Sequence, residues 1–229
     1  MRFPHPAAVC VAGLTGSGKT HLLHMFQEKG EQIIDLEGLA RHKGSVLGLW
    51  HGHTQPSQVY FESLLCQALE SLTPDRPVWL ESESVRIGYV HVPANFFQKL
   101  KEAPRFYVSL PLDERVKHII RDYPNWIENK DQLKDILGKL VAVRGHETVN
   151  RWIEMVARDD WETFVRQMLV EHYDPTYTLS QKKNNVSQVD VPVVEMENLD
   201  VATLERVVDS LTGLGRHTET DEARTVTCA

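Results

Sequence analysis

The sequence predicts an α/β protein: a parallel sheet flanked by helices, with a helical subdomain in the C-terminal half. Three observations predict it. Residues 7–12, AAVCVA, form a continuous apolar run ending at Gly13, the pattern of a strand covered on both faces. Short apolar runs then alternate with segments whose apolar residues recur at helical spacing, as parallel strands and their crossover helices do. From Asp113 to about Val170 only helical spacing is left.

After the first strand, residues 19–29 read as a helix with Leu22, Leu23, Met25 and Phe26 on its apolar face. QIIDL at 32–36 reads as a second strand. The Gly- and His-rich stretch that follows is too long for a simple connection, which points to function. Helical spacing resumes at Val59, Phe61, Leu64, Leu65, Ala68 and Leu69. Pro77–Leu80 and Arg105–Leu110 read as strands. Four apolar sets then mark the helical subdomain: Val116/Ile119/Ile120, Leu133/Ile136/Leu137/Leu140, Val149/Trp152/Ile153/Val156 and Phe164/Val165/Met168/Leu169. Val191–Glu195 suits a last strand, and Val201, Leu204, Val207, Val208 and Leu211 a closing helix. The expected domain is residues 1–213. Residues 214–229 are polar and read as a disordered tail.

The chain has 229 residues, 41% of them hydrophobic, enough for a buried core. Its net charge of −7 argues against coating nucleic acid through bulk positive charge, though not against a local basic patch on one folded RNA. No apolar run spans a membrane and the N-terminus does not read as a signal peptide, so a cytoplasmic protein is expected. Cys10, Cys66 and Cys228 are far apart, indicating neither disulfides nor a zinc ribbon. Cys10 and Cys66 read as core residues. His51 and His53 lack a third ligand at sensible spacing, so no metal site is expected there.

The strongest local signal is Gly13-Leu14-Thr15-Gly16-Ser17-Gly18-Lys19-Thr20, a complete GxxxxGK[ST]. Its glycines let backbone N–H groups turn inward around a phosphate, Lys19 brings a point charge to the terminal phosphates, and Thr20 can hold Mg²⁺. The helix N-terminus adds its own attraction for anions. With a strand before it and a helix after it, this is a P-loop, and the sheet is expected to be P-loop NTPase-like. Gly13, Thr15, Gly16, Ser17, Gly18, Lys19 and Thr20 are the candidate phosphate-binding residues. Asp35 and Glu81 each end a strand and are candidates for the metal-holding acid beside Thr20. Glu37 and Glu83 are near enough to compete. No guanine-reading segment is evident.

Further segments carry a resemblance. Residues 35–45, DLEGLARHKGS, then Gln55-Pro56-Ser57-Gln58 with Phe61-Glu62, then WLESESVRIG at 79–88, then His172-Tyr173-Asp174-Pro175 with Tyr177, occur in this order. Together with the P-loop they resemble the tRNA 2-selenouridine synthase family over about residues 8–180. The resemblance implies a wobble 2-thiouridine in tRNA as substrate, with geranyl diphosphate and selenophosphate as co-substrates. The family's bacterial form carries a rhodanese domain with a catalytic cysteine ahead of the P-loop. Here the P-loop begins at residue 13, so the expectation is the P-loop half alone, with selenation supplied by a separate rhodanese-domain protein.

In that reading Lys19, Glu81 and Arg86 are the candidate catalytic residues, Arg86 for a second anion. Arg41, His42, Lys43, Ser45 and Glu83 are candidates for substrate or tRNA contact, because strand C-terminal ends converge on the ligand crevice, and Tyr173, with Tyr177, suits either stacking on a base or an isoprenoid or core packing. Thr20 and Asp35 are the metal candidates. Mg²⁺ and a phosphate-bearing ligand (geranyl diphosphate, selenophosphate or a nucleotide) are the expected cofactors, and tRNA the expected partner. Trp126, Trp152 and Trp161 suit either a prenyl slot or ordinary core. Lys182, Lys183, Asn184 and Asn185 suit either an RNA contact or a solvated loop. Two other readings stay open. One is an ATP-dependent small-molecule kinase of the nucleotide-kinase-like class, with Arg115 or Arg121 on phosphate. The other is a non-catalytic subunit that docks tRNA.

Overall fold

The computed structural model describes residues 7–45, 47–48, 53–82, 84–183 and 191–222. Its centre is a parallel five-stranded sheet, order β2-β3-β1-β6-β7. The strands are β1 (Ala8–Ala12), β2 (Gln32–Ile34), β3 (Val78–Glu81), β6 (Arg105–Ser109) and β7 (Val193–Glu195). β1 lies in the middle, paired to β3 and β6, which is why its run carries no polar residue. All four residues of β3 are buried for the same reason.

One face of the sheet is covered by α1 (Lys19–Glu28) and α12 (Val201–Glu222). Leu22, Leu23 and Phe26 of α1 are fully buried, each contributing about 1.5–3 kcal/mol of transfer free energy. The Phe26 ring stacks on Trp79 of β3 at 4.0 Å between centroids. The other face takes α2 (Leu36–Ala40), α3 (Gln58–Glu70) and α4 (Ala94–Glu102), with Ile34, Leu36, Phe61, Leu65 and Leu80 at its centre.

QIIDL is strand only to Ile34. Asp35 then accepts the Gly38 N–H at 2.7 Å, and this cap starts α2 where continued strand was expected. Cys66 is exposed on α3, not in the core, and Val59 is also exposed: the α3 face turned to the sheet is carried by Phe61 and Leu65. α12 continues to Glu222, beyond the expected domain end at 213.

A small antiparallel hairpin, β4 (Arg86–Ile87) and β5 (Val90–His91), lies beyond β3. Gln55 ties it down, donating to the carbonyls of Ala40 (3.1 Å) and Ile87 (3.0 Å) and accepting from Tyr89 N–H at 2.8 Å. Gln58 exchanges two 2.8 Å bonds with the His91 backbone, and Ser57 caps α3. Gly88, at φ +61, has no room for a Cβ because the Gln55 amide fills that space. The QPSQ segment is thus the clamp on the hairpin.

The helical subdomain comprises α5 (Leu112–Asp122), α6 (Pro124–Glu128), α7 (Lys130–Gly138), α8 (Val141–Arg144), α9 (His146–Ala157), α10 (Trp161–Gln167) and α11 (Asp174–Lys183). Trp152, Leu133, Leu137 and Leu169 fill its core. A π-helical turn, Met168–Tyr173, joins α10 to α11. Pro175 cannot donate to a carbonyl one turn back and its ring crowds that position, which the wider turn relieves. No helix among the described residues is long and apolar enough to cross a membrane.

Candidate active site

The loop between β1 and α1 follows the GxxxxGK[ST] requirements. Gly18 precedes α1 at φ +80, and a Cβ there would meet Leu199. Ser17 N–H donates to the Leu14 carbonyl at 3.1 Å, closing the loop. Lys19 Nζ lies 3.1 Å from the Gly13 carbonyl and 3.4 Å from that of Leu14. Ser17 is buried behind the loop, against Gly13.

Around this loop opens a cavity of about 380 Å³. Thr15, Gly16, Gly18, Lys19 and Thr20 form its floor. Glu37, Lys43, Ser45, Glu81 and Ser84 come to it from the neighbouring strand ends. His118, Asp122, Tyr123, His172, Tyr173 and Tyr177 close it from the helical subdomain. The C-terminal edge of the sheet thus faces the subdomain across the phosphate loop.

Of the candidate acids, Glu81 lies at the end of β3, only 1% exposed, and lines the cavity with Thr20 and Glu37. Asp35 does not line it: one carboxylate oxygen caps α2 and the other is 3.4 Å from His24 Nε2. Lys43 reaches the cavity with its ammonium 4.3 Å over the Tyr123 ring and 3.4 Å from Asp122 Oδ2. Ser45, Tyr123 and Tyr173 share the cavity wall, and burial pushes the Tyr173 phenol up to about 12, keeping it neutral. His42 is buried away from the cavity, its pKa lowered by desolvation. Arg41 is exposed at the C-terminus of α2, in left-handed conformation. Arg86 is exposed on the hairpin and donates to the Gly88 carbonyl at 2.7 Å, outside the cavity lining. Glu83, His51, Asn184 and Asn185, and the side chains of Lys182 and Lys183, lie outside the described residues.

The HYDP segment supplies an anchor between the helical subdomain and the phosphate loop, and its partner, Arg115, is what sequence reasoning missed. Asp174 takes both terminal nitrogens of Arg115, at 2.6 and 3.1 Å, and Arg115 Nε donates to the Thr15 carbonyl at 2.9 Å. Arg115 is 3% exposed, so this guanidinium holds the phosphate loop onto the subdomain and is not free to contact phosphate as a kinase lid arginine would. Arg144 secures the next turn, donating to His172 Nδ1 (2.9 Å), the His172 carbonyl (3.1 Å) and Thr176 (2.9 Å). Burial, helped by the Arg144 charge, pushes the His172 pKa down to about 4. His172 is therefore a neutral ring whose Nε2 carries the proton.

Beside the cavity is a small apolar slot of about 40 Å³. Thr15, Ser45, Ile119, Tyr123 and Tyr173 belong to both walls. Leu47, Ile120, Trp126, Ile127, Leu133, Trp161, Phe164 and Val165 complete the slot. Trp126 and Trp161 are thus slot residues, while Trp152 is wholly core.

Residues 6–147 match the family described as the tRNA 2-selenouridine synthase AAA domain. The chain is 32% identical over 197 residues to the tRNA 2-selenouridine synthase of Hydrogenovibrio crunogenus, covering 76% of this chain and 52% of that protein. It is 33% identical over 192 residues to that of Chromohalobacter salexigens, covering 73% and 51%. The chain thus spans about half the length of these curated relatives. Among solved structures, a tRNA isopentenylpyrophosphate transferase from Bacillus halodurans aligns with 95% of this chain and 99% of its own, at 12% identity and a TM-score of 0.46. On the extent of the domain match, together with a phosphate loop and HYDP anchor that use the residues of the resemblance, the chain belongs to the tRNA 2-selenouridine synthase family, through its P-loop domain.

Proposed function

We propose that this chain is the P-loop component of a tRNA 2-selenouridine synthase system and transfers a geranyl group from geranyl diphosphate to the sulfur of wobble 2-thiouridine. The observation that carries this reading is the shared wall between an anion-binding cavity and an apolar slot. A prenyl diphosphate has that polarity: a charged head and an apolar tail. The slot has room for only a few carbons. The rest of the chain would spread its walls or lie along Ile127, which is at the surface.

In this account the loop amides and Lys19 bind the diphosphate. The C–O bond to the geranyl carbon breaks, its electron pair leaves with the diphosphate, and donors aimed at that growing charge lower the barrier. The tRNA sulfur forms the new C–S bond, and the uridine N3 proton is lost to solvent. The protein need supply no nucleophile. Thr20 and Glu81 offer oxygen donors to one cavity and suit Mg²⁺, which when bound supplies positive charge against the diphosphate. Selenophosphate would use the same anion site, with a rhodanese-domain protein completing selenation.

The test is mass spectrometry of nucleosides from 2-thiouridine tRNA incubated with the chain, Mg²⁺ and geranyl diphosphate. A geranylated nucleoside that Lys19→Ala abolishes is the expected result. ATP-dependent phosphorylation of a small molecule without prenyl transfer would favour the kinase reading. Binding of tRNA with no product would favour the docking subunit.

A further inference from the structure

We infer that His21, His118 and Asp122 form a second metal site, distinct from the Mg²⁺ position at Thr20, for a borderline divalent transition metal of the Zn²⁺ or Co²⁺ type. His21 follows the phosphate loop on the first turn of α1. His118 and Asp122 are one turn apart on α5, which puts them on one face of that helix. One ligand atom from each lies within 4.8 Å of the others. The two imidazoles meet edge to face, with centroids 4.8 Å apart.

Three features favour a metal over a simple polar cluster. First, His118 is 6% exposed, and its Nδ1 has no hydrogen-bond partner among the described residues. Leaving a buried ring nitrogen unsatisfied carries a desolvation penalty unless something binds it. Second, Asp122 Oδ1 lies 3.7 Å from that nitrogen, too far for a hydrogen bond. Two donors sharing one ion at about 2.1 Å and a tetrahedral angle are about 3.4 Å apart, so a small side-chain adjustment suffices. Third, Asp122 divides its oxygens: Oδ2 faces Lys43 at 3.4 Å, which leaves Oδ1 toward the imidazoles.

Two nitrogens and one carboxylate oxygen suit Zn²⁺ or Co²⁺ and not Mg²⁺, which prefers oxygen throughout. The positive charges of Lys43 and Arg121 nearby oppose a bound cation and weaken its affinity. Three protein ligands leave a coordination position open. His118 and Asp122 also line the phosphate cavity, so that position is within reach of an anionic or sulfur-bearing ligand held there.

Titration of the purified chain with Co²⁺, in excess Mg²⁺, reads the site directly through visible absorption of the coordinated ion. The expected result is one equivalent of saturable Co²⁺ binding, weakened at least about 10-fold by His118→Gln and by His21→Gln, and unchanged by Thr20→Ala. His21 is reached by solvent, so His21→Gln tests the site without disturbing the buried core; circular dichroism checks that each variant is folded. Absence of saturable binding, equal binding by folded His21→Gln, or loss of binding in Thr20→Ala would each overturn the inference.

Discussion

Replacing Asp174 by alanine strips the carboxylate from a guanidinium whose side chain is 4% exposed. Removing one partner of a buried ion pair costs about 3–5 kcal/mol, because the remaining charge is left desolvated. Asp174 itself is 26% exposed, so water can partly take its place, and the lower figure, about 3 kcal/mol, is expected. For a chain of this size that lowers Tm by roughly 6–12 °C. Urea denaturation followed by circular dichroism measures the loss. The same guanidinium holds the Thr15 carbonyl, so diphosphate affinity should fall as well. The double variant Arg115→Met/Asp174→Leu separates the two effects. It removes both charges and should regain most of the stability, since an apolar pair of similar volume replaces a buried ion pair at little cost. It should not regain diphosphate affinity, because no donor then fixes Thr15. A change below about 0.5 kcal/mol in Asp174→Ala, or a double variant as unstable as the single, would refute the reasoning.

Other consequences can be checked separately. The His172 pKa is lowered from 6.5 to about 4, so between those values the unfolded chain binds the proton more readily. Its contribution to stability is therefore complete above about pH 6.5 and is lost as pH falls toward 4, with a slope of at most about 1.4 kcal/mol per pH unit. Urea midpoints across that window should show a shallower dependence in His172→Gln. Gln55→Ala leaves the carbonyls of Ala40 and Ile87 and the Tyr89 N–H without their partner, and should destabilise by about 1–3 kcal/mol with faster hydrogen exchange at β4 and β5. Ile120→Trp puts a bulkier side chain into the slot wall. It should raise KM for geranyl diphosphate at least several-fold while leaving inorganic diphosphate binding unchanged, as competition binding would show.

The parallel sheet and the phosphate loop were legible because each rests on local sequence. β1 is apolar throughout, and β3 is apolar up to Glu81, since both faces are covered, and the loop needs glycines followed by Lys19 and Thr20 in a fixed order. Placement of the acids was less legible, because a carboxylate after a strand can cap the next helix as readily as face a ligand. Asp35 caps α2, and Glu81 and Glu37 line the cavity. Glu81 ends β3 and Arg86 follows a few residues later, yet the hairpin, held by the Gln55 clamp from a distant part of the sequence, carries Arg86 away from the cavity. The Arg115–Asp174 anchor and the approach of His21 to His118 and Asp122 are tertiary pairings between helices, for which no spacing rule exists. HYDP pointed to Asp174 as special without giving its partner. The slot beside Tyr173 was foreshadowed by the tryptophans, two of which line it.

The central claim is that one cavity takes a diphosphate while its neighbour takes the apolar chain attached to it. Calorimetric comparison of geranyl diphosphate with inorganic diphosphate, in Mg²⁺ and with the wild-type chain, tests this most directly. Burial of a few carbons at about 0.8 kcal/mol each predicts roughly 2 kcal/mol of added affinity, about 30-fold tighter binding for the prenyl compound. Equal affinity for the two would mean that the slot takes no part in binding, and would contradict the account.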